Sequence, residues 1–232
     1  ASFIAAGTAY ATFAVPTIPF YIFYSMFGFQ RVGDMIWASA DMMARGFLLG
    51  GTAGRTTLNG EGLQHQDGHS PILASTVPSV RTYDCAFAWE LAILVRFGIQ
   101  RMFVEDHDEL FYLMMYNEAL AMPARPVHED LDEGVVRGGY LLQPTAGDGP
   151  RVNILGSGTI LFEVMQAAAT LREEGYSVAV YSITSYVELA RDAERAEQAG
   201  TADVEPAWLD TIFLRPTCLL LLRRITCVPC LV

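Results

Sequence analysis

The feature that most constrains this chain is a repeated exchange of short apolar runs for amphipathic stretches. "FLLGG" (47–51) reads as a buried strand running into a glycine-rich loop, and "SVRTYD" (79–84) as a further short strand. "ELFYLMMYN" (109–117) is rich in residues that suit a strand. Between these runs, "DMIWASADMMARG" (34–46) has helical spacing ended by Gly46, and "AFAWELAILVRFGIQRMF" (86–103) is long enough for a helix. Parallel strands need helical crossovers, and those crossovers cover both faces of the sheet. The predicted fold class is therefore α/β, a mostly parallel sheet flanked by helices. Ligands of such sheets sit beyond the carboxyl ends of the strands, where "GGTAGRTTLNGEG" (50–62) falls.

The first 30 residues carry no charge, which raises a transmembrane span as an alternative. Pro16 and Pro19 interrupt the run, and no basic cluster precedes it to set an orientation. A buried helix over about 2–14 followed by a buried strand over about 18–24 accounts for it as well, and the expectation is no membrane. Near 122–134, "MPARPVHEDLDEG" brings prolines and clustered acids together and reads as an exposed linker. "VVRGGYLL" (135–142) and "VNILGSGTILFEVMQAAATLREEG" (152–175) then give strand, strand and helix. "SVAVYSITSY" (177–186) and "VELARDAERAEQAG" (187–200) add a strand and a helix, so a second α/β domain opens near residue 127. Gly156 and Gly158 could cradle a phosphate, but the full dinucleotide fingerprint is missing and a tight strand-to-helix turn is the preferred reading.

A net charge of −11 argues against nucleic acid, which requires clustered cations to displace counterions. All 15 basic residues are arginine, which reads as coding bias. Cys85 stands alone in the body while Cys218, Cys227 and Cys230 crowd the end, so no disulfide framework is visible and a reducing cytoplasm fits. The chain starts at Ala1 with no signal-peptide pattern, and the expectation is that it is a fragment.

One long polar passage interrupts the first half, "GRTTLNGEGLQHQDGHS" (54–70). His65, Asp67 and His69 alternate there as metal ligands sometimes do, yet Gln66 and Gly68 break the helical two-histidine zinc signature. A structural pair, an acid–base histidine and a metal site remain open on spacing alone.

Three runs go further: "PFYIFYSMFGFQRVGDMIWASAD", "ARGFLLGGTAGRTTLNGEGLQHQDGHS" and "YSITSYVELARD". They closely resemble the thiamine-diphosphate-dependent decarboxylase subunits of pyruvate dehydrogenase, of the bacterial homodimeric type, within the wider transketolase-like superfamily. The resemblance covers roughly 1–210. It implies that 1–126 is the latter part of a pyrimidine-binding domain and 127–213 a partial transketolase-like C-terminal domain. By the same likeness Phe27 stacks on the cofactor pyrimidine and Arg31 closes that end of the pocket. Tyr24 lies near the reacting centre, and His65 faces the substrate-derived intermediate. A histidine suits that role because its ordinary pKa of ~6.5 permits proton exchange near neutrality. His69 reads as a scaffold residue, and the role of Glu61 stays open.

The implied cofactors are thiamine diphosphate and Mg²⁺, the latter held through an N-terminal domain that this sequence does not contain. The implied partners are a second copy of the chain, pyruvate, and the lipoyl domain of the dihydrolipoyl acetyltransferase subunit. No acidic residue precedes Asp34, so the family's essential glutamate is not in this sequence, and the chain alone is expected to be inactive. Alternatives are another 2-oxo-acid dehydrogenase or a transketolase, a membrane-anchored protein with 1–30 as its span, and a metal-dependent hydrolase on His65, Asp67 and His69. After about Phe213 the family pattern stops, and 214–232 reads as a frameshifted, non-native tail, which removes Cys227 and Cys230 from consideration as a zinc or redox motif.

Overall fold

The apolar runs of the first half pair side by side. In the computed structural model, which describes residues 1–54, 62–199, 205–213 and 219–222, they are β1 (Phe20–Tyr24), β2 (Gly46–Gly51), β3 (Val80–Asp84) and β4 (Leu110–Met114). Their order is β1-β2-β4-β3, and every pairing is parallel. Central β4 is buried at each position, as an unbroken apolar run in a parallel sheet must be, whereas the edge strand β1 leaves most of its residues open.

Helices α1 (Ser2–Gly7) and α2 (Ala9–Phe13) precede the sheet, and the crossovers are α3 (Ser25–Asp41), α4 (Ser70–Ser75) and α5 (Ala88–Ile99). The single helix expected over 2–14 is divided at Thr8, whose hydroxyl donates to the Ile4 carbonyl at 2.9 Å. Among the described residues no helix is long and apolar enough to cross a membrane. Helix α5 runs directly into a π-helical turn, Gln100–Val104.

The helix expected over 34–46 begins earlier, at Ser25, and Gly46 opens β2 rather than stopping α3. Gly28 is what permits the early start, because a Cβ there would collide with the ring of Phe23. At Gly46 a Cβ would stand 2.9 Å from the Phe3 ring and 2.7 Å from Pro19, so close approach, not helix termination, explains that glycine. Its neighbour Arg45 is buried. It donates to Met102 O at 2.6 Å and to Asp108 at 2.9 Å, and lies 3.8 Å over the Tyr10 ring, which satisfies a buried cation by hydrogen bonds and an aromatic face.

The described residues divide into two compact units. One comprises those of Ala1–Cys85 and Leu91–Ala121, and the other Ala86–Glu90 and those from Met122 on. The second unit has a sheet of order β5-β7-β6-β8, formed by β5 (Tyr140–Gln143), β6 (Arg151–Gly156), β7 (Ser177–Ser182) and β8 (Leu219–Leu222). Strand β5 is antiparallel and the others parallel. Helices α6 (Leu131–Arg137), α7 (Ile160–Glu173), α8 (Tyr186–Ala199) and α9 (Trp208–Phe213) complete it.

The end of the stretch expected as linker and the start of the expected strand are in fact helix α6, ended by Gly138 in the left-handed region (φ +105) ahead of a shorter β5, while 122–128 carries neither helix nor strand. A Cβ on Gly138 would lie 2.5 Å from the Ser185 carbonyl, so the glycine pair is a helix stop. The turn after β6 is tight as anticipated. Gly156 ends the strand, Gly158 takes φ +55, and α7 follows. Cys218, Cys227 and Cys230 lie outside the described residues.

Candidate functional site

Strands β1 and β2 end side by side, with Tyr24 in register with Gly51. The chain then turns sharply. Tyr24 is the last residue of β1 and, in extended conformation, the N-cap of α3. On α3, Phe27 and Arg31 stand four residues apart and so share one face. The Arg31 guanidinium lies 4.5 Å from the Phe27 ring centre, a cation–π contact.

The polar passage returns to meet them. A 3-10 turn, Leu63–His65, sets the His65 imidazole edge-on to Phe27 at 5.3 Å and 83°, and at 5.9 Å from the Tyr24 ring. Tyr24, Phe27, Arg31 and His65 are therefore brought together at the carboxyl edge of the first sheet. Tyr24 and Arg31 are exposed, and Phe27 and His65 half-buried. Glu61 lies outside the described residues.

His69 is tied to the same helix, with Nε2 3.3 Å from Gln30 Nε2. Asp67 is turned inward and buried. Its Oδ1 accepts from the backbone N–H of His69 at 3.2 Å and of Ser70 at 3.0 Å, and its Oδ2 accepts from the Ser70 hydroxyl. The carboxylate is thus committed to shaping the start of α4, and among the described residues no cluster of His, Cys, Asp and Glu could hold a metal ion. Sequence reasoning missed this inward role, and it missed Tyr112, whose hydroxyl is 2.8 Å from Ser70 Oγ. The spacing D-x-x-S in "DGHS" is the one signal that could have suggested the turn.

The edge offers aromatic walls, a cation against one of them and an imidazole, a set suited to a flat heteroaromatic ring with polar rim atoms. Ser25, the first residue of α3 between Tyr24 and Phe27, is fully buried, and its Oγ has no hydrogen-bond partner among the described residues. A buried hydroxyl without a partner is rare and fits a position that a polar ligand atom would satisfy.

Known proteins bear on this arrangement. Residues 1–123 match the pyruvate dehydrogenase E1 component middle domain, and 138–207 the transketolase-like C-terminal domain. The chain is 52% identical over 199 residues to the pyruvate dehydrogenase E1 component of Pseudomonas aeruginosa, and 50% identical over 199 residues to that of Escherichia coli. Each alignment covers 85% of this chain and 22% of the relative, so the chain spans about a fifth of the length of these proteins. Among solved structures, the transketolase of Campylobacter jejuni superposes with a TM-score of 0.63 at 18% identity, covering 84% of this chain and 28% of that one. A transketolase variant from Pichia stipitis gives 0.67 at 12% identity, covering 89% and 27%, a likeness of fold. With its middle-domain match covering more than half of its residues, the chain belongs to the pyruvate dehydrogenase E1 component family.

Proposed function

We propose that this chain forms one side of a thiamine-diphosphate site and that the protein containing it decarboxylates pyruvate and reductively acetylates a lipoyl group. The observation that carries the reading is the meeting of Tyr24, Phe27, Arg31 and His65 at one sheet edge, from segments roughly forty residues apart. In this reading Phe27 is the flat wall against which the aminopyrimidine stacks, and Arg31 closes the wall's outer end. Ser25 offers its unpartnered hydroxyl to a polar rim atom. When bound, the coenzyme supplies a nucleophilic carbon and an electron sink for loss of CO₂.

The work of the chain's own residues is positional and acid–base. Phe27 and Tyr24 exclude water from the ring face, and the His65 imidazole passes a proton to and from the oxygen of the 2-oxo acid. The diphosphate, Mg²⁺ and the essential glutamate are assigned to parts of the E1 component outside this segment, and the working form to a cytoplasmic homodimer that meets the lipoyl domain of the acetyltransferase. Residues 1–126 and 127–213 are read as parts of the pyrimidine-binding and C-terminal domains, and 214–232 as a frameshifted tail, which sequencing of the gene in independent clones tests directly.

The functional test is substitution in the full-length enzyme. Phe27→Ala should weaken thiamine-diphosphate binding about tenfold or more, a loss of aromatic contact of ~1.4 kcal/mol. His65→Ala should lower kcat by roughly 10²–10⁴ while cofactor affinity holds. Unchanged kinetics in both variants would remove the assignment.

A further inference from the structure

Below the exposed edge runs a hydrogen-bond chain that the site residues do not include. Tyr112 lies on the central strand β4, fully buried. Its hydroxyl is 2.8 Å from Ser70 Oγ, and Ser70 spends its one proton on Asp67. The direction of the chain follows: Tyr112 donates to Ser70, and Ser70 donates to Asp67. Asp67 in turn receives the backbone N–H groups of His69 and Ser70, two residues and three residues on, so the end of the chain fixes the peptide from Asp67 to Ser70, just after the turn that carries His65.

The other side of Tyr112 reaches the opposite wall. Its ring stacks on Phe23 at 5.8 Å and 12° and meets Phe29 edge-on at 4.9 Å, and Phe23 and Phe29 flank the segment that bears Tyr24 and Phe27. Gly50 on β2 makes room for this tyrosine, since a Cβ there would stand 2.5 Å from the hydroxyl. One buried side chain thus touches by its ring the helix that bears Phe27 and Arg31, and by its hydroxyl Ser70, where the passage that bears His65 enters α4. Burial pushes the Tyr112 hydroxyl well above its ordinary range, with the Asp67 charge adding to the effect, so it stays protonated and keeps donating.

We propose that Tyr112, acting through Ser70 and Asp67, is a positioning residue that sets the His65 loop against the Tyr24–Arg31 segment. This rests on the reading of that edge as the reaction site. Tyr112 touches no reacting group. Its hydroxyl fixes where the imidazole stands, so its loss should be felt in turnover and not in binding.

The test compares Tyr112→Phe, Ser70→Ala and the double variant in the full-length E1 component. Phenylalanine keeps the ring and its aromatic contacts and removes only the donor. In cofactor-free enzyme, amide exchange of the 62–72 segment should quicken about fivefold, the worth of one ordinary net hydrogen bond. Exchange in β3 and in the π-helical turn should be unchanged. In the loaded enzyme kcat should fall about tenfold, with KM for pyruvate and thiamine-diphosphate affinity within about twofold. Because the signal passes through Ser70, adding Tyr112→Phe to Ser70→Ala should change nothing further.

Unaltered exchange at 62–72, a rise shared by the whole unit, or additive effects in the double variant would overturn the proposal. A fully active Tyr112→Phe beside a disabled His65→Ala removes the anchor alone. Full turnover in His65→Ala removes the reading of the site, and the positioning role with it.

Discussion

Each of the two units buries a carboxylate under a tyrosine and a serine, and the two trios are wired differently. In the first, the links are in series: Tyr112 to Ser70, Ser70 to Asp67, Asp67 to the backbone of the histidine loop. In the second they converge. Glu90 Oε1 receives Tyr140 and Ser182, each at 2.7 Å, and Oε2 receives the N–H groups of Ala86 at 2.7 Å and Phe87 at 3.1 Å. A series arrangement transmits position from a rigid strand to a loop. A convergent one gathers the tyrosine, the serine and two backbone N–H groups at the same carboxylate. A tyrosine, a serine and a carboxylate therefore hold the backbone of the histidine loop in one place and an internal joint in the other.

The convergent trio should be the costlier to break. Glu90→Ala leaves two hydroxyls and two backbone N–H groups without their acceptor in a site fully closed to solvent. The expected loss is about 3–5 kcal/mol, read by chemical denaturation of the full-length protein. A loss under about 1 kcal/mol would mean that the buried donors find water, and that the joint is not closed.

The series trio has its weak point at Gly50. Gly50→Ala drives a methyl toward the Tyr112 hydroxyl and ring, at 2.5 Å and 2.8 Å, and the crowded core should lose about 1–3 kcal/mol. Its signature should be local as well, with the 62–72 amides exchanging faster than in the parent protein. A uniform rise across the first unit would reduce Tyr112 to ordinary packing and erase the contrast between the two trios.

The parts of this arrangement legible in the sequence were those whose signal is local. The strand runs at 46–51 and 110–114 announce themselves by unbroken apolar character, because a parallel sheet buries both faces, and 80–84 does so by the β-suited Val80, Thr82 and Tyr83. Tyr24, Phe27, Arg31 and His65 were nameable only through a family resemblance, since aromatics in an apolar run are ordinarily core. Helix α3 was misplaced because its first turn, "SMFG", carries an aromatic and a glycine that continue the strand's appearance, and only the Phe23 ring explains Gly28. Helix α6 was hidden by prolines and acids just ahead of it, although Asp132 and Glu133 are in its first turn, where acids suit a helix N-terminus. The tyrosine links and Ser182 were invisible because Tyr112 lies 42 residues from Ser70, and Tyr140 and Ser182 lie 50 and 92 from Glu90. No periodicity connects such positions before the sheets exist.

The smallest effect sharpens the comparison by its sign. Burial pushes the Glu90 carboxyl up, against the pull of Ser182, Tyr140 and the two backbone N–H groups, and its folded pKa lies above the ordinary carboxylate value. A carboxyl raised on folding binds its proton more tightly in the native state. Its stabilisation is therefore complete below the unfolded pKa and is lost as pH rises through the folded one. Asp192 in the same unit behaves oppositely. Burial raises it, but Arg195, the Trp208 N–H and Arg137 together hold it below its ordinary value, and its contribution is lost as pH falls. Comparing wild type with Glu90→Gln at each pH cancels the Asp192 slope and leaves that of Glu90. The amide should be most destabilising in acid, and its penalty should shrink on the way to neutral pH by no more than about 1.4 kcal/mol per pH unit, the limit for one proton. A penalty that grows with pH would mean that the four donors outweigh burial and hold Glu90 ionised. The second trio would then be a charged joint, and the contrast with the first would rest on wiring alone.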